Sequence, residues 1–141
     1  MSKFSVIRKH EIHCGHRVYG HGGKCAHLHG HSYIIHFYAE SIALNSLGMV
    51  VDFGVIKSTV CQWLEEHFDH RMLIWTKDPL LGALQQLDPM VVAVNFNPTA
   101  ENIAHYLVTQ VCPSLLSQYN IEVVKVIVEE TTKCSASFSL E

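Results

Sequence analysis

Charge is scarce in this 141-residue sequence: Asp, Glu, Lys and Arg together make up 16% of it, and ten basic against thirteen acidic residues leave a formal net charge of −3. There is no basic tract and no interleaving of basic with aromatic residues, so nucleic acid is not an expected partner. Isolated cations, Arg8, Lys9, Arg17 and Lys24, remain available to hold an anion locally. No apolar run reaches the 18 or more residues of a membrane span, and the opening ten residues lack the apolar stretch of a secretory signal, which predicts a cytoplasmic protein without a membrane partner. Five cysteines, an odd number with no Cys-x-x-Cys spacing, exclude a disulfide framework and a four-thiolate zinc ribbon and fit a reducing compartment. Linkers, internal repeats and low-complexity segments are absent as well. The expectation is one domain over residues 1–141, long enough to bury a core without covalent staples. A mean hydropathy of +0.15 with so little charge leaves uncharged surface to be buried between subunits, so a homo-oligomer is expected.

Histidine is abundant, with 11 residues. Five of them surround the stretch Cys25-Ala26-His27-Leu28-His29-Gly30-His31: His16 and His21 before it, and His27, His29 and His31 within it. In an extended strand, side chains two apart share a face, so His29 and His31 project together while Gly30 faces away. The same face continues through Tyr33, Ile35 and Phe37, and an imidazole at the end of a core-facing surface is costly unless something satisfies it. A metal ion would do so. A catalytic zinc site takes three protein ligands and keeps a fourth position open, and His16 is the leading third ligand. A closed site with Cys25 as fourth ligand is the competing arrangement.

Along the chain, Phe4 to Ile12 alternates as a first strand, and the Gly of His13-Cys14-Gly15-His16 suggests a bulge or strand end. A glycine-rich loop, Arg17 to Lys24, leads to a second strand from about His29 to Glu40. Met49 to Phe53 reads as a short strand or buried linker, with Asp52 able to cap the helix that follows. Ile56, Val60, Trp63, Leu64, His67 and Phe68 repeat at helical spacing. Asp69-His70 closes that helix, where a histidine meeting the helix dipole and a turn-forming aspartate explain the pair without chemistry. A short helix from Pro79 carries Leu80, Leu81, Leu84 and Leu87 as core residues. Val91 to Phe96 is a strand, and Thr99 caps a helix that Pro113 stops. Glu101 in its first turn complements the dipole. Ile121 to Val128 is a strand whose apolar face, Val124, Val126 and Val128, is interrupted by Glu130, an acid at a solvent exit or in a pocket suited to a guanidine-like edge. Lys133 to Leu140 closes the chain as a last strand. This order predicts an α+β fold, with an antiparallel sheet covered on one face by helices.

Cys25-x-x-x-His29-Gly30-His31 with upstream His16-Arg17 resembles the zinc-binding signature of the superfamily of 6-pyruvoyltetrahydropterin and 6-carboxytetrahydropterin synthases. The likeness continues in order through Gly48 to Phe53, Asp69-His70, Pro98-Thr99-Ala100-Glu101-Asn102 and Glu130-Thr131. The three-residue gap between Cys25 and His29 is similar to the bacterial carboxy-forming branch. The resemblance implies the tunnelling fold, with a four-stranded antiparallel sheet and helices on one face, assembled as a hexamer of two stacked trimers. It implies Zn2+ held by His16, His29 and His31, Cys25 as the acid-base thiol with Asp69 and His70 as its polarising pair, and Thr99, Glu101 and Glu130 as pterin-binding residues. The implied reaction converts 7,8-dihydroneopterin triphosphate to 6-carboxy-5,6,7,8-tetrahydropterin with release of acetaldehyde and triphosphate, a lyase step toward queuosine. Pyruvoyl-forming or dihydroneopterin aldolase-like activity is the near alternative, and a non-enzymatic zinc-stabilised oligomer the distant one. Two departures stand out: Ile12-His13-Cys14-Gly15 replaces an aromatic and two small residues, adding two donors, and Leu73-Ile74 replaces Leu-Asn.

Overall fold

The computed structural model describes residues 2–141, built on one six-stranded sheet. Its strands are β1 (Phe4–His16), β2 (His29–Ser41), β3 (Met72–Trp75), β4 (Val92–Val94), β5 (Glu122–Glu129) and β6 (Ser135–Ser139), in the spatial order β4-β3-β1-β2-β5-β6. Four strands run antiparallel, β1 with β2, β2 with β5 and β5 with β6, whereas β3 joins β1, and β4 joins β3, in parallel. The expected four-stranded antiparallel sheet is therefore corrected to a mixed sheet of six. The extra strands escape sequence reading because they are only four and three residues long, and β3 meets β1 only at Gly15 and His16.

Glycine makes that junction. A Cβ on Gly15 would lie 2.6 Å from Met72 Cε and 3.1 Å from the His29 carbonyl, so its bare backbone lets β3 seat beside β1. Gly15 also faces Gly30 across the β1–β2 ladder. The register there runs unbroken from Phe4 to His16, so β1 does not end or bulge at His13–Gly15 as its glycine suggested. The irregularity lies instead between Tyr38 and Ala39, where Lys125 and Val123 are their partners and Val124 is the extra residue, which removes Val124 from the buried face.

The inner face of the sheet contributes Ile12, Tyr33, Ile35, Phe37, Ala39, Val126 and Val128 to the core. Helical residues Ile56, Val60, Leu64, Ile103, Leu107, Val111 and Leu116 complete it. They come from two composite helices. In the first, α1 (Phe53–Ile56) and α2 (Gln62–His67) are joined by a π turn over Lys57–Cys61, and the second joins α4 (Ala100–Tyr106) to α5 (Cys112–Leu116) by a π turn over Leu107–Val111. Asp52 and Thr99 cap them as expected, accepting from the amides of Gly54 and Asn102. Pro113 does not stop the second helix. Proline cannot donate to a carbonyl four residues back and crowds it, and the preceding π turn widens the backbone at that place, so the helix continues to Leu116. Met49 to Phe53 forms no strand. The helix α3 (Leu81–Leu87) has no fully buried residue: Leu81 and Leu84 are half-buried, and Leu80 and Leu87 are exposed. Among the described residues no helix is long and apolar enough to cross a membrane.

Candidate metal centre

The antiparallel register sets His16 opposite His29 and Cys14 opposite His31. Opposed residues in such a ladder point to one face, so three imidazoles converge there. Their ring centroids lie 4.6 Å (His16–His29), 5.1 Å (His16–His31) and 4.9 Å (His29–His31) apart, and one ligand nitrogen from each falls within 4.8 Å of the others. Backbone carbonyls orient two of the rings: His16 Nδ1–H donates to Pro98 O (2.5 Å) and His29 Nδ1–H to His27 O (2.7 Å). That arrangement assigns the free lone pair to Nε2, as metal-ligating histidines require. His16 Nε2 and His31 Nε2 are buried with no hydrogen-bond partner. Unsatisfied buried acceptors are rare and costly, and a divalent cation between the rings satisfies both. Three imidazole nitrogens, with no fourth donor grouped with them among the described residues, fit an open metal site.

The electrostatics agree. Burial pushes His16 down from 6.5 to about 4, aided by the neighbouring imidazoles of His29 and His31 and opposed by the Pro98 carbonyl. Burial also lowers His31, against the pull of Glu130, whose Oε2 stands 3.7 Å from His31 Nε2. Both rings are thus held neutral, the form that binds metal. The two extra donors noted in the sequence do not join them. His13 faces the opposite side of the ladder, with its Nδ1 2.9 Å from Ser32 Oγ. Cys14 shares the inner face but lies outside the ligand set, and burial, reinforced by Asp69, pushes its thiol up to about 12.

Cys25 sits half-buried in a one-turn 3-10 segment, Lys24–Ala26, and is also outside the ligand set. Its carbonyl accepts from the Val18 amide at 2.7 Å. Asp69 and His70 form a second cluster. His70 adopts a left-handed backbone (φ +59°), donates its amide to His13 O at 2.6 Å and faces Asp69 Oδ2 through Nδ1 at 2.8 Å. The other Asp69 oxygen accepts from the His13 amide. Although burial alone would raise it, these donors hold the Asp69 carboxyl below its usual range. The His70 ring packs edge-on against His13. With His13, Cys14, His31, Ser32 and Arg71 it lines a cleft of about 530 Å³, so one of the three clustered histidines borders the cleft that holds His70. Glu101 and Glu130 share a different hollow, of about 310 Å³, with Cys134 and Ser135. Thr99 is outside that lining, and its hydroxyl serves the helix cap.

The structure brings His16, His29 and His31 together with Glu130 nearby, joins Glu101 to Glu130 in one hollow, and sets His70 with its partner Asp69 in a cleft that His31 also lines, while Cys25 on its turn acts on Tyr33, which packs against His31. Sequence reasoning missed the Pro98 carbonyl, which only a tertiary contact 82 residues long reveals. It also missed Asp78, which between Lys77 and Pro79 reads as a solvated turn but is buried against Arg17. Arg17 is consequently not a free anion ligand.

Comparison with known proteins follows this geometry closely. The profile of the family described as 6-pyruvoyl tetrahydropterin synthase matches residues 5–141. A Rickettsia felis protein named 6-carboxy-5,6,7,8-tetrahydropterin synthase is 37% identical over 131 residues, covering 90% of this chain and 94% of that one. An Aquifex aeolicus protein of the same name is 29% identical, covering 99% of each. Among solved structures, an uncharacterized Wolinella succinogenes protein superposes with a TM-score of 0.88 at 24% identity over the whole of both chains. The Caenorhabditis elegans 6-pyruvoyl tetrahydropterin synthase superposes with a TM-score of 0.73 at 23% identity, covering 100% of this chain and 98% of that one. These two likenesses establish the fold.

Proposed function

This chain belongs to the 6-pyruvoyl tetrahydropterin synthase family, and from that membership we propose that it converts 7,8-dihydroneopterin triphosphate and water to 6-carboxy-5,6,7,8-tetrahydropterin, acetaldehyde and triphosphate, on the route to queuosine. The observation that carries the reading is the three-histidine centre with two orphaned Nε2 atoms and no fourth donor grouped with them among the described residues, in a chain whose similar relatives bear the carboxy-forming name.

Zinc held by His16, His29 and His31 would supply Lewis acidity to the side-chain hydroxyls of the substrate, making the adjacent C–H more acidic. Glu130, beside His31 and in the hollow it shares with Glu101, binds the guanidine-like edge of the pterin through its carboxylate. Thr99 supports this hollow from the cap of α4. Cys25 Sγ takes the proton from the substrate side chain as the general base. Asp69 accepts from His70 Nδ1–H, which leaves His70 Nε2 as the atom that passes a proton. The reading includes the family's arrangement, a hexamer of two trimers with active sites completed at subunit contacts.

Anaerobic incubation of the zinc-loaded protein with the triphosphate tests the reading. Acetaldehyde release together with a carboxypterin mass is expected; a pyruvoyl product without acetaldehyde assigns the other branch. Cys25→Ala should keep its zinc and lose turnover, whereas loss of zinc on that substitution, with no turnover in the parent, would mark Cys25 as a structural ligand and end the enzyme reading.

A further inference from the structure

We propose that the Arg17–Asp78 ion pair positions Cys25, with Arg17 acting as a strut between the scaffold and the turn that carries the thiol. Asp78 is the one buried carboxylate among the described residues. Arg17 engages it with both arms of its fork, Nε donating to Oδ2 at 2.6 Å and Nη2 to Oδ1 at 2.7 Å. The remaining arm, Nη1, donates to the carbonyl of Ala26 at 3.0 Å, one residue beyond Cys25. The guanidinium also lies 5.4 Å from the centre of the Tyr19 ring.

The neighbouring residues are tied in the same way. His16 is bonded to Pro98 O, Val18 donates to Cys25 O, and Tyr19 exchanges two hydrogen bonds with the Asn97 side chain. Between these ties and Cys25 the chain runs through Gly20 at φ +90°, Gly22 and Gly23, which have no intrinsic reason to hold one conformation. The turn is therefore placed by its tethers, and Arg17 is the side chain that holds the residue directly after Cys25. A planar fork fixes direction as well as distance, which a lysine ammonium does not. Apolar residues of similar volume stabilise a fold as well as a buried ion pair does, so fold stability alone gives no reason for this pair, whereas the placement of Cys25 does.

The competing explanation is that Asp78 only stabilises the turn into α3, since its Oδ1 also accepts from the Leu80 amide. Arg17→Lys and Asp78→Asn separate the two, because both keep polar groups at the site. The measurement is peptide-resolved alkylation of the folded protein by iodoacetamide. Exposed Cys134 is the internal standard, and buried Cys14, Cys61 and Cys112 report global unfolding. In each variant the Cys25 rate relative to Cys134 is expected to rise about tenfold as the turn opens locally. The buried cysteines should stay protected and zinc content should stay at the parental level. A Cys25-to-Cys134 ratio within about twofold of the parent in both variants overturns the proposal. So does labelling of the three buried cysteines in both variants, which would make the pair a general stabiliser. The turnover arm rests on the function proposed above and expects kcat to fall with KM held. A parent without turnover whose Cys25 ratio still shifts in the variants refutes that function and leaves the positioning role standing.

Discussion

His16 is fully buried, with Nδ1 bonded to the Pro98 carbonyl and Nε2 bare. Without metal the folded protein resists protonating it, because its value falls from 6.5 to about 4. As pH drops below 6.5 the unfolded chain binds a proton that the folded chain refuses, so stability rises with pH across this window. The contribution is complete above 6.5 and lost progressively toward 4, about 3 kcal/mol in all. Urea denaturation of the metal-free protein should show that loss between pH 7 and pH 4.5, and His16→Gln should flatten it; an equal slope in the variant would refute the assignment. Asp78 acts in a different window. Arg17 holds its carboxyl below the usual value of 3.8, so its contribution is present above that value and lost only as pH falls further. Loss of a first ligand should weaken zinc binding more than the 10–100-fold typical of an outer partner, so His29→Ala should bring zinc per chain, by elemental analysis after dialysis, close to zero. His29 and His31 were legible because strand period places them together. His16 was legible only as a candidate, since register and not sequence spacing sets it opposite His29.

The β1–β2 ladder and the start of α4 meet at the site, and each can be disturbed separately. Gly15→Ala would place a methyl 2.6 Å from Met72 Cε and 3.1 Å from the His29 carbonyl. Overpacking of this kind costs about 1–3 kcal/mol. Met72→Ala removes the nearer obstacle, so the double variant should recover part of the thermal stability lost in Gly15→Ala, and no recovery would place the conflict at the His29 backbone. Thr99→Ala removes the cap of α4 at a cost of about 1 kcal/mol. It also loosens the Pro98 turn whose carbonyl orients His16, for which a zinc affinity lowered about tenfold is expected by competition with a chromogenic chelator. Caps at Asp52 and Thr99, the inner faces of β1 and β2 and the amphipathic helix before Asp69 were readable, because each depends on neighbours in sequence. The parallel strands β3 and β4 were not, because three or four residues carry no period. Pro113 and the leucines of α3 misled for a related reason: a π turn accommodates the proline, and tertiary cover, only partial over α3, decides whether a leucine is core.

At the scale of the molecule, β1 is paired on both sides only at Gly15 and His16, which leaves its stretch from Phe4 to Cys14 open along one edge, and β6 is open along its outer side. Phe4 and Ile7 on that open strand are exposed. Long open edges pair with other chains unless covered, and pairing among copies of this chain would close the sheet. A hexamer of 15.9 kDa chains would sediment at about 95 kDa. Cys25 lies on the turn between β1 and β2, while the Asp69–His70 pair rests against His13. On the proposed function, the thiol of one subunit is expected to work with the His70 of another. Cys25→Ala and His70→Ala homo-oligomers should each be inactive. Co-expressed in equal amounts, they should regain about a quarter of the parental turnover, since one in four randomly assembled sites receives both intact groups. Absence of any recovery, with mixed oligomers verified by native mass spectrometry, would place Cys25 and His70 of the same chain in one site.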